Sequence, residues 1–139
     1  MFTIARIKNS PTSVPELVEV FVTNADCDIK ANCVYVYSDS GLNSAQEKVG
    51  PALFIPVKSY EGTPEKVLGY FVSSDMIFLA NYIDNVGGGT NGTPFGLRSL
   101  DNSGVCDAAE ISPGISNTVG FVVDMTENDN RQILVRFTI

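Results

Sequence analysis

Apolar and polar residues alternate along this chain in short runs separated by turn-forming residues, the pattern of a β-rich domain. The clearest stretch is residues 119–139, V-G-F-V-V-D-M-T-E-N-D-N-R-Q-I-L-V-R-F-T-I. Two runs rich in β-branched and aromatic residues flank an acidic, Asn-rich turn at 126–131, which predicts a hairpin. Residues 2–7 have the same character and predict a strand. Residues 9–15 hold Pro11 and Pro15 and break it. Residues 16–23 (E-L-V-E-V-F-V-T) predict a strand that pairs as a hairpin with 33–38 (C-V-Y-V-Y-S) across the Asx-rich turn 24–32. Residues 52–60 predict a further strand, with Pro56 implying a sheet edge or a bulge. Runs at 66–73 and 76–83 follow. Residues 39–50 are polar, with room for one helical turn at 44–48. Residues 84–103 are irregular and contain five of the 12 glycines, so a long Gly-rich loop is expected there.

These runs predict one all-β domain over 1–139: an antiparallel β-sandwich or a partly closed β-barrel with long loops, built from about eight strands. The expected core is Ile4, Leu17, Val20, Val22, Val34, Val36, Phe54, Leu68, Phe71, Ile77, Leu79, Phe121, Val123, Leu134 and Phe137. The breaker cluster leaves residues 1–13 as an N-terminal arm able to add a strand to a neighbour, with Phe2 and Ile4 as its contacts.

Charge and composition narrow the function. Only 18% of residues are charged, and the net charge is −7. The nine basic residues are spread along the sequence, which argues against nucleic acid, whose binding needs concentrated positive charge. The acidic balance disfavours anionic membranes, and no run approaches the roughly 18 apolar residues that span a bilayer. The opening M-F-T-I-A-R-I-K lacks the pattern of a signal peptide, so synthesis in the cytoplasm is expected.

The chain has no His, which removes the commonest general base and the nucleophile pairs built on it. Cys27, Cys33 and Cys106 do not have zinc-site spacing. They read as buried thiols, or as one Cys27–Cys33 pair with Cys106 free. The Gly-rich stretch lacks a P-loop ending or a dinucleotide fingerprint. It reads as a surface loop or as one that orders on a partner, with Gly88 and Asn91 at its tip and Phe95 and Leu97 as anchors. Asp26, Asp28 and Asn32, and separately Asp124, Glu127 and Asp129, have oxygen ligands at short spacing, but neither group has the Gly and terminal Glu of a calcium loop. Tyr35 and Tyr37, two apart in a strand, predict one aromatic face, with Val34 and Val36 on the other. No catalytic, cofactor or metal residues are assigned.

Residues 104–139 resemble the small β-rich decoration, or cement, proteins that coat tailed-bacteriophage capsids. The resemblance is carried by residues 104–109, the turn of Ser112, Pro113 and Gly114, the strand 119–123, the acidic turn, and the terminal strand 132–136. It implies a non-enzymatic virion protein that sits on the particle surface as a homo-oligomer, trimeric or clustered. Its partner would be the major capsid protein or identical subunits. The alternative from the residues alone is a small ligand- or carbohydrate-binding β-sandwich module, in which the absence of Trp disfavours sugar stacking.

Overall fold

The computed structural model describes residues 1–8, 10, 12–46, 52–111 and 117–138. Among these described residues eleven strands run β1 (Phe2–Ile7), β2 (Val18–Phe21), β3 (Tyr35–Ser38), β4 (Gly41–Ser44), β5 (Leu53–Pro56), β6 (Lys66–Phe71), β7 (Met76–Asp84), β8 (Pro94–Arg98), β9 (Ala108–Ile111), β10 (Gly120–Asp124) and β11 (Gln132–Phe137). The fold is all-β. One sheet has the order β1-β7-β11-β10-β8-β9, and β9 returns to pair with β7, closing a five-stranded barrel. The second sheet has the order β2-β6-β5-β3-β4. The join of β7 to β9 is parallel, through Tyr82–Ala109, Ile83–Glu110 and Asp84–Ile111. The other strand pairings are antiparallel.

The barrel is organised around β7, the longest strand. One edge of β7 carries β11 along Ile77–Asn81; the other carries β1 along Met76–Ala80 and then β9. Its alternating side chains Met76, Phe78 and Ala80 point inward to the main core. There Phe2–Phe78, Phe78–Phe137 and Phe95–Phe137 pack edge-on and Phe2–Phe137 packs tilted, with ring centroids 5.3–6.3 Å apart. Val34, Val36, Leu53, Ile55, Tyr70 and Val72 bring one face of the second sheet into the same core. The opposite face of that sheet, with Tyr35, Phe54, Val67 and Val20, is covered by the segment from Val22 to Cys33. Both faces of β3 and β5 are therefore buried, as four consecutive buried residues in β5 record.

Two glycines are required by close approach. A Cβ on Gly120 would lie 2.0 Å from the Arg136 carbonyl oxygen and 2.7 Å from the Phe95 ring, which covers the gap left by the missing side chain. Gly41 has φ +104°, and a Cβ there would meet the Asn24 carbonyl oxygen at 1.8 Å.

The fold departs from the expectations in several places. The terminal hairpin forms as β10–β11, but β2 and β3 are not a hairpin: β2 pairs with β6, and β3 with β4 and β5. The segment between them is taken up in covering the second sheet. Pro56 is neither at an edge nor in a bulge; it ends the central strand β5 opposite Gly69. Residues 2–7 pair with β7 of their own chain, at the edge of the barrel sheet, instead of standing off as an arm. The Gly-rich region is interrupted by β8, leaving residues 85–93 as the loop. Ser44 ends β4 where a helical turn was expected; the remainder of that turn at 47–48, and the turn at 112–114, lie outside the described residues.

The expected core is corrected most sharply on the barrel. Val20, Val22, Val34, Val36, Phe54 and Phe137 are buried, and Ile4 packs half-buried against the core. Leu17 and Phe71 are exposed. Leu68 is half-buried. Ile77, Leu79, Phe121, Val123 and Leu134 are also only half-buried, because they occupy the outward phase of their strands. The inward phase is Met76, Phe78, Ala80, Val122, Ile133 and Val135.

Candidate interaction face

The outward phase of β1, β7, β11 and β10 forms one continuous surface. Cross-strand register sets Arg6, Ile77, Arg136 and Phe121 in one row. The next row holds Thr3, Leu79 and Leu134, with Asp124 opposite Leu134. Asn81 and Gln132 follow. The face thus sets Ile77, Leu79 and Leu134 side by side, with Phe121 beyond Arg136 and Val123 next to Asp124 on β10, so polar groups stand among the apolar ones as well as around them.

Two β-bulges shape its rim. In β1 the register slips between Ile4 and Arg6. Phe2 and Ile4 face the core; after the extra residue Ala5, Arg6 turns outward and Ile7 packs inward. Without the bulge, two-residue alternation would aim Arg6 into the barrel. In β10 a second slip, between Val122 and Asp124, brings the Asp124 carboxylate to the rim. Asp124 accepts from the Thr126 backbone N–H at 2.8 Å, and this hydrogen bond holds its carboxyl below the usual range.

At the Ile77 end a recess of about 340 Å³ opens between Arg6, Lys8, Ser10, Asp75, Ile77 and Arg136. Three of the nine basic residues meet there with one carboxylate. Even spacing in sequence concealed this, because β1 and β11 are distant in sequence and flank the same strand. Arg136 donates its Nε–H to the Ser74 carbonyl oxygen, Asp75 accepts from the Ser73 hydroxyl, and the Lys8 backbone N–H donates to the Asp75 carbonyl oxygen. Among the described residues the one ion pair is Arg98–Glu110, on other strands of the barrel.

The residues predicted as partner contacts do not converge. Phe2, Tyr35, Phe95 and Leu97 are core residues, and Ile4 faces the core. The Tyr35 hydroxyl accepts from the Lys30 N–H and donates to the Asp28 carbonyl oxygen; burial pushes its ionisation up. Tyr37 is half-buried and packs edge-on to Phe71, 5.8 Å between centroids at 69°. Only Gly88 and Asn91 are exposed. The Asn91 side chain accepts from the Met125 N–H at 2.9 Å, fastening the loop to the end of β10. The loop is organised from its start by Asp84. Its two carboxylate oxygens accept from the N–H groups of Gly89, Val86 and Gly87 at 2.8–3.1 Å, which lowers its pKa.

The acidic turns are likewise internally bonded, with Asp26 accepting from the Ser44 N–H. Among the described residues no three His, Cys, Asp or Glu side chains gather as a metal site. All three cysteines are free thiols. Burial pushes Cys27 up to about 12 and Cys33 and Cys106 up to about 11. No described helix is long and apolar enough to cross a membrane. The sequence signal that could have found the face is the run M-I-F-L-A-N-Y-I, apolar in both phases: one phase fills the barrel and the other is left outside. Comparison with family models, curated proteins and solved structures gave no match.

Proposed function

We propose that this chain is a non-enzymatic structural protein of a virion, a decoration subunit that binds a tailed-phage capsid surface through the outer face of its barrel. The observation that carries this reading is that face: an outer sheet surface bearing Ile77, Leu79, Phe121, Val123 and Leu134 together with Arg6, Arg136 and Asp124. Protein partners bury such surfaces, with an apolar centre excluding water and a polar rim setting register. The partner is the major capsid protein or identical subunits, the oligomer is a trimer, and the site of action is the virion, after synthesis in the host cytoplasm. A chain without His, with thiols held protonated at neutral pH, supports a structural role over a catalytic one. The edge-on Tyr37–Phe71 pair presents no flat double platform for a sugar ring, which leaves the carbohydrate reading without support.

The test is sedimentation with capsids from the source lysate. The expected result is saturable co-pelleting at fixed stoichiometry. Leu79→Glu and Leu134→Glu should abolish it while leaving the far-UV spectrum and cooperative melting intact. Failure to pellet, or pelleting indifferent to both substitutions, would refute the reading.

A further inference from the structure

We propose that the recess between Arg6, Lys8 and Arg136 is a receptor for a carboxylate side chain, an Asp or Glu carried by an extended segment of the protein partner. The inference rests on the docking reading above and names the chemistry of the partner.

Four observations carry it. First, the recess concentrates positive charge in an acidic chain: three cations and one carboxylate line it, while the whole chain stands at −7. Second, the β1 bulge puts Arg6 there. A bulge interrupts the ladder hydrogen bonds, and its effect here is to move one guanidinium from the core phase to the rim. Third, Arg6 and Arg136 flank Ile77 from opposite sides, two strand spacings apart, about 10 Å at Cα. Two guanidiniums at that separation close on one carboxylate from both sides, with Ile77 as the apolar floor. Fourth, Arg136 is oriented by its Nε–H bond to the Ser74 carbonyl. This leaves its terminal nitrogens for a ligand, the fork geometry that carboxylates match in two parallel hydrogen bonds.

The site favours a carboxylate of a protein over other anions. Nucleic-acid affinity typically comes from tracks of about six to ten phosphate contacts, and one recess cannot supply them. Asp75 on the wall opposes the second charge of a phosphate more than the single charge of a carboxylate. By register the row of Leu79 and Leu134 lies next to Ile77 and Arg136, outside the recess, which matches the apolar neighbours of an acidic side chain in an extended segment and offers nothing to a free inorganic ion.

The experiment is an amide-shift titration of the full chain with two capped peptides, acetyl-Val-Glu-Val-Glu-Val-amide and its Gln counterpart. Inorganic phosphate and succinate serve as further probes. The Glu peptide should shift the amides of Ile77 and its neighbours on β1 and β11 saturably, and more weakly at high salt. The Gln peptide should not. Arg6→Gln and Arg136→Gln should each weaken the Glu peptide about tenfold. Lys8→Gln, which disturbs no described hydrogen bond of the side chain, should weaken it less, and the melting temperature of each variant checks the fold. Equal binding of the two peptides, no saturable shift, or phosphate binding more tightly than the Glu peptide overturns the proposal. Tighter binding of free succinate assigns the recess to a small dicarboxylate and also overturns it. Capsid pelleting by the Arg6→Gln/Arg136→Gln variant separates the two readings. Unchanged pelleting with lost peptide binding sinks the carboxylate receptor and leaves the decoration role standing; failure of the unmodified chain to pellet, with peptide binding intact, does the reverse.

Discussion

Truncating Ile133 and its neighbour Leu134 to Ala tests the phase of the barrel wall with two almost identical side chains. Ile133 is fully buried, in contact with the main core. Leu134 is half-buried on the outer face. Each substitution removes three carbon atoms, worth about 0.8 kcal/mol apiece when taken fully from water. At Ile133 a closed cavity adds to this, for a total of about 3–4 kcal/mol. At Leu134 the side chain is only partly covered, and no cavity closes, so about 1.5–2 kcal/mol is expected. For 139 residues the unfolding entropy near the midpoint is about 0.3 kcal/mol per kelvin. Ile133→Ala should therefore lower Tm by about 10–14 °C and Leu134→Ala by about 5–7 °C. Calorimetry at low protein concentration, with urea midpoints as a second measure, reads both. A loss at Leu134 equal to or larger than that at Ile133 would show that the wall is turned inside out relative to the structure.

Other consequences are as direct. Gly120→Val should prevent cooperative folding or destabilise by more than about 3 kcal/mol, since its Cβ meets the Arg136 backbone at 2.0 Å; thermal melting reads it, and a soluble variant of normal Tm would contradict the close approach. The three thiols should react with a disulfide reagent at pH 8 far more slowly in the native protein than in denaturant. Their native pKa values lie above the unfolded ones, so the protonated thiols cost nothing below about pH 8.5, and stability falls as pH rises from there towards about 11. With allowance for screening, Cys33 and Cys106 together give a slope of about 2 kcal/mol per pH unit, measurable in urea titrations, and Cys→Ala at both should flatten it. Asp84 has a lowered native pKa, so its support of residues 85–89 is full above the unfolded carboxylate range and is lost as pH falls through the native value. Asp84→Asn should speed hydrogen exchange at Val86, Gly87 and Gly89 at neutral pH and have less effect in acid; unchanged exchange at neutral pH would remove Asp84 from that role.

The all-β class and the closing hairpin were legible because β-branched runs and an Asx-rich turn are local signals. The phase of β7, β10 and β11 was not. In Met76–Asp84 both phases are apolar, so period-two alternation could not say which side faces the core. In β10 an unseen bulge shifts the phase by one residue before Asp124. The partners of β1 and β2 were also out of reach, since no turn signal links Phe2 to Ala80 or Val18 to Gly69. Four of the eight predicted contacts are buried in the core for a shared reason: Phe2, Tyr35, Phe95 and Leu97 have the residue types that binding surfaces and cores both favour. The basic recess was invisible because it is a product of register alone.

The closed ring also has unequal joins. β8 and β9 pair with each other through four residue pairs, but the unit they form meets β10 through two pairs and β7 through three. The joins of β7 to β11 and of β10 to β11 are longer, with five and four pairs. The wall thus divides into a stiff three-stranded panel and a two-stranded shutter latched on both sides by short seams. Thermal opening should begin at those seams, with Asn85 N–H, bonded to the Ile111 carbonyl, exchanging early and Leu79 late. The candidate interaction face lies on the β10–β11–β7 panel, so the surface offered to a partner keeps its shape while the far side of the barrel breathes.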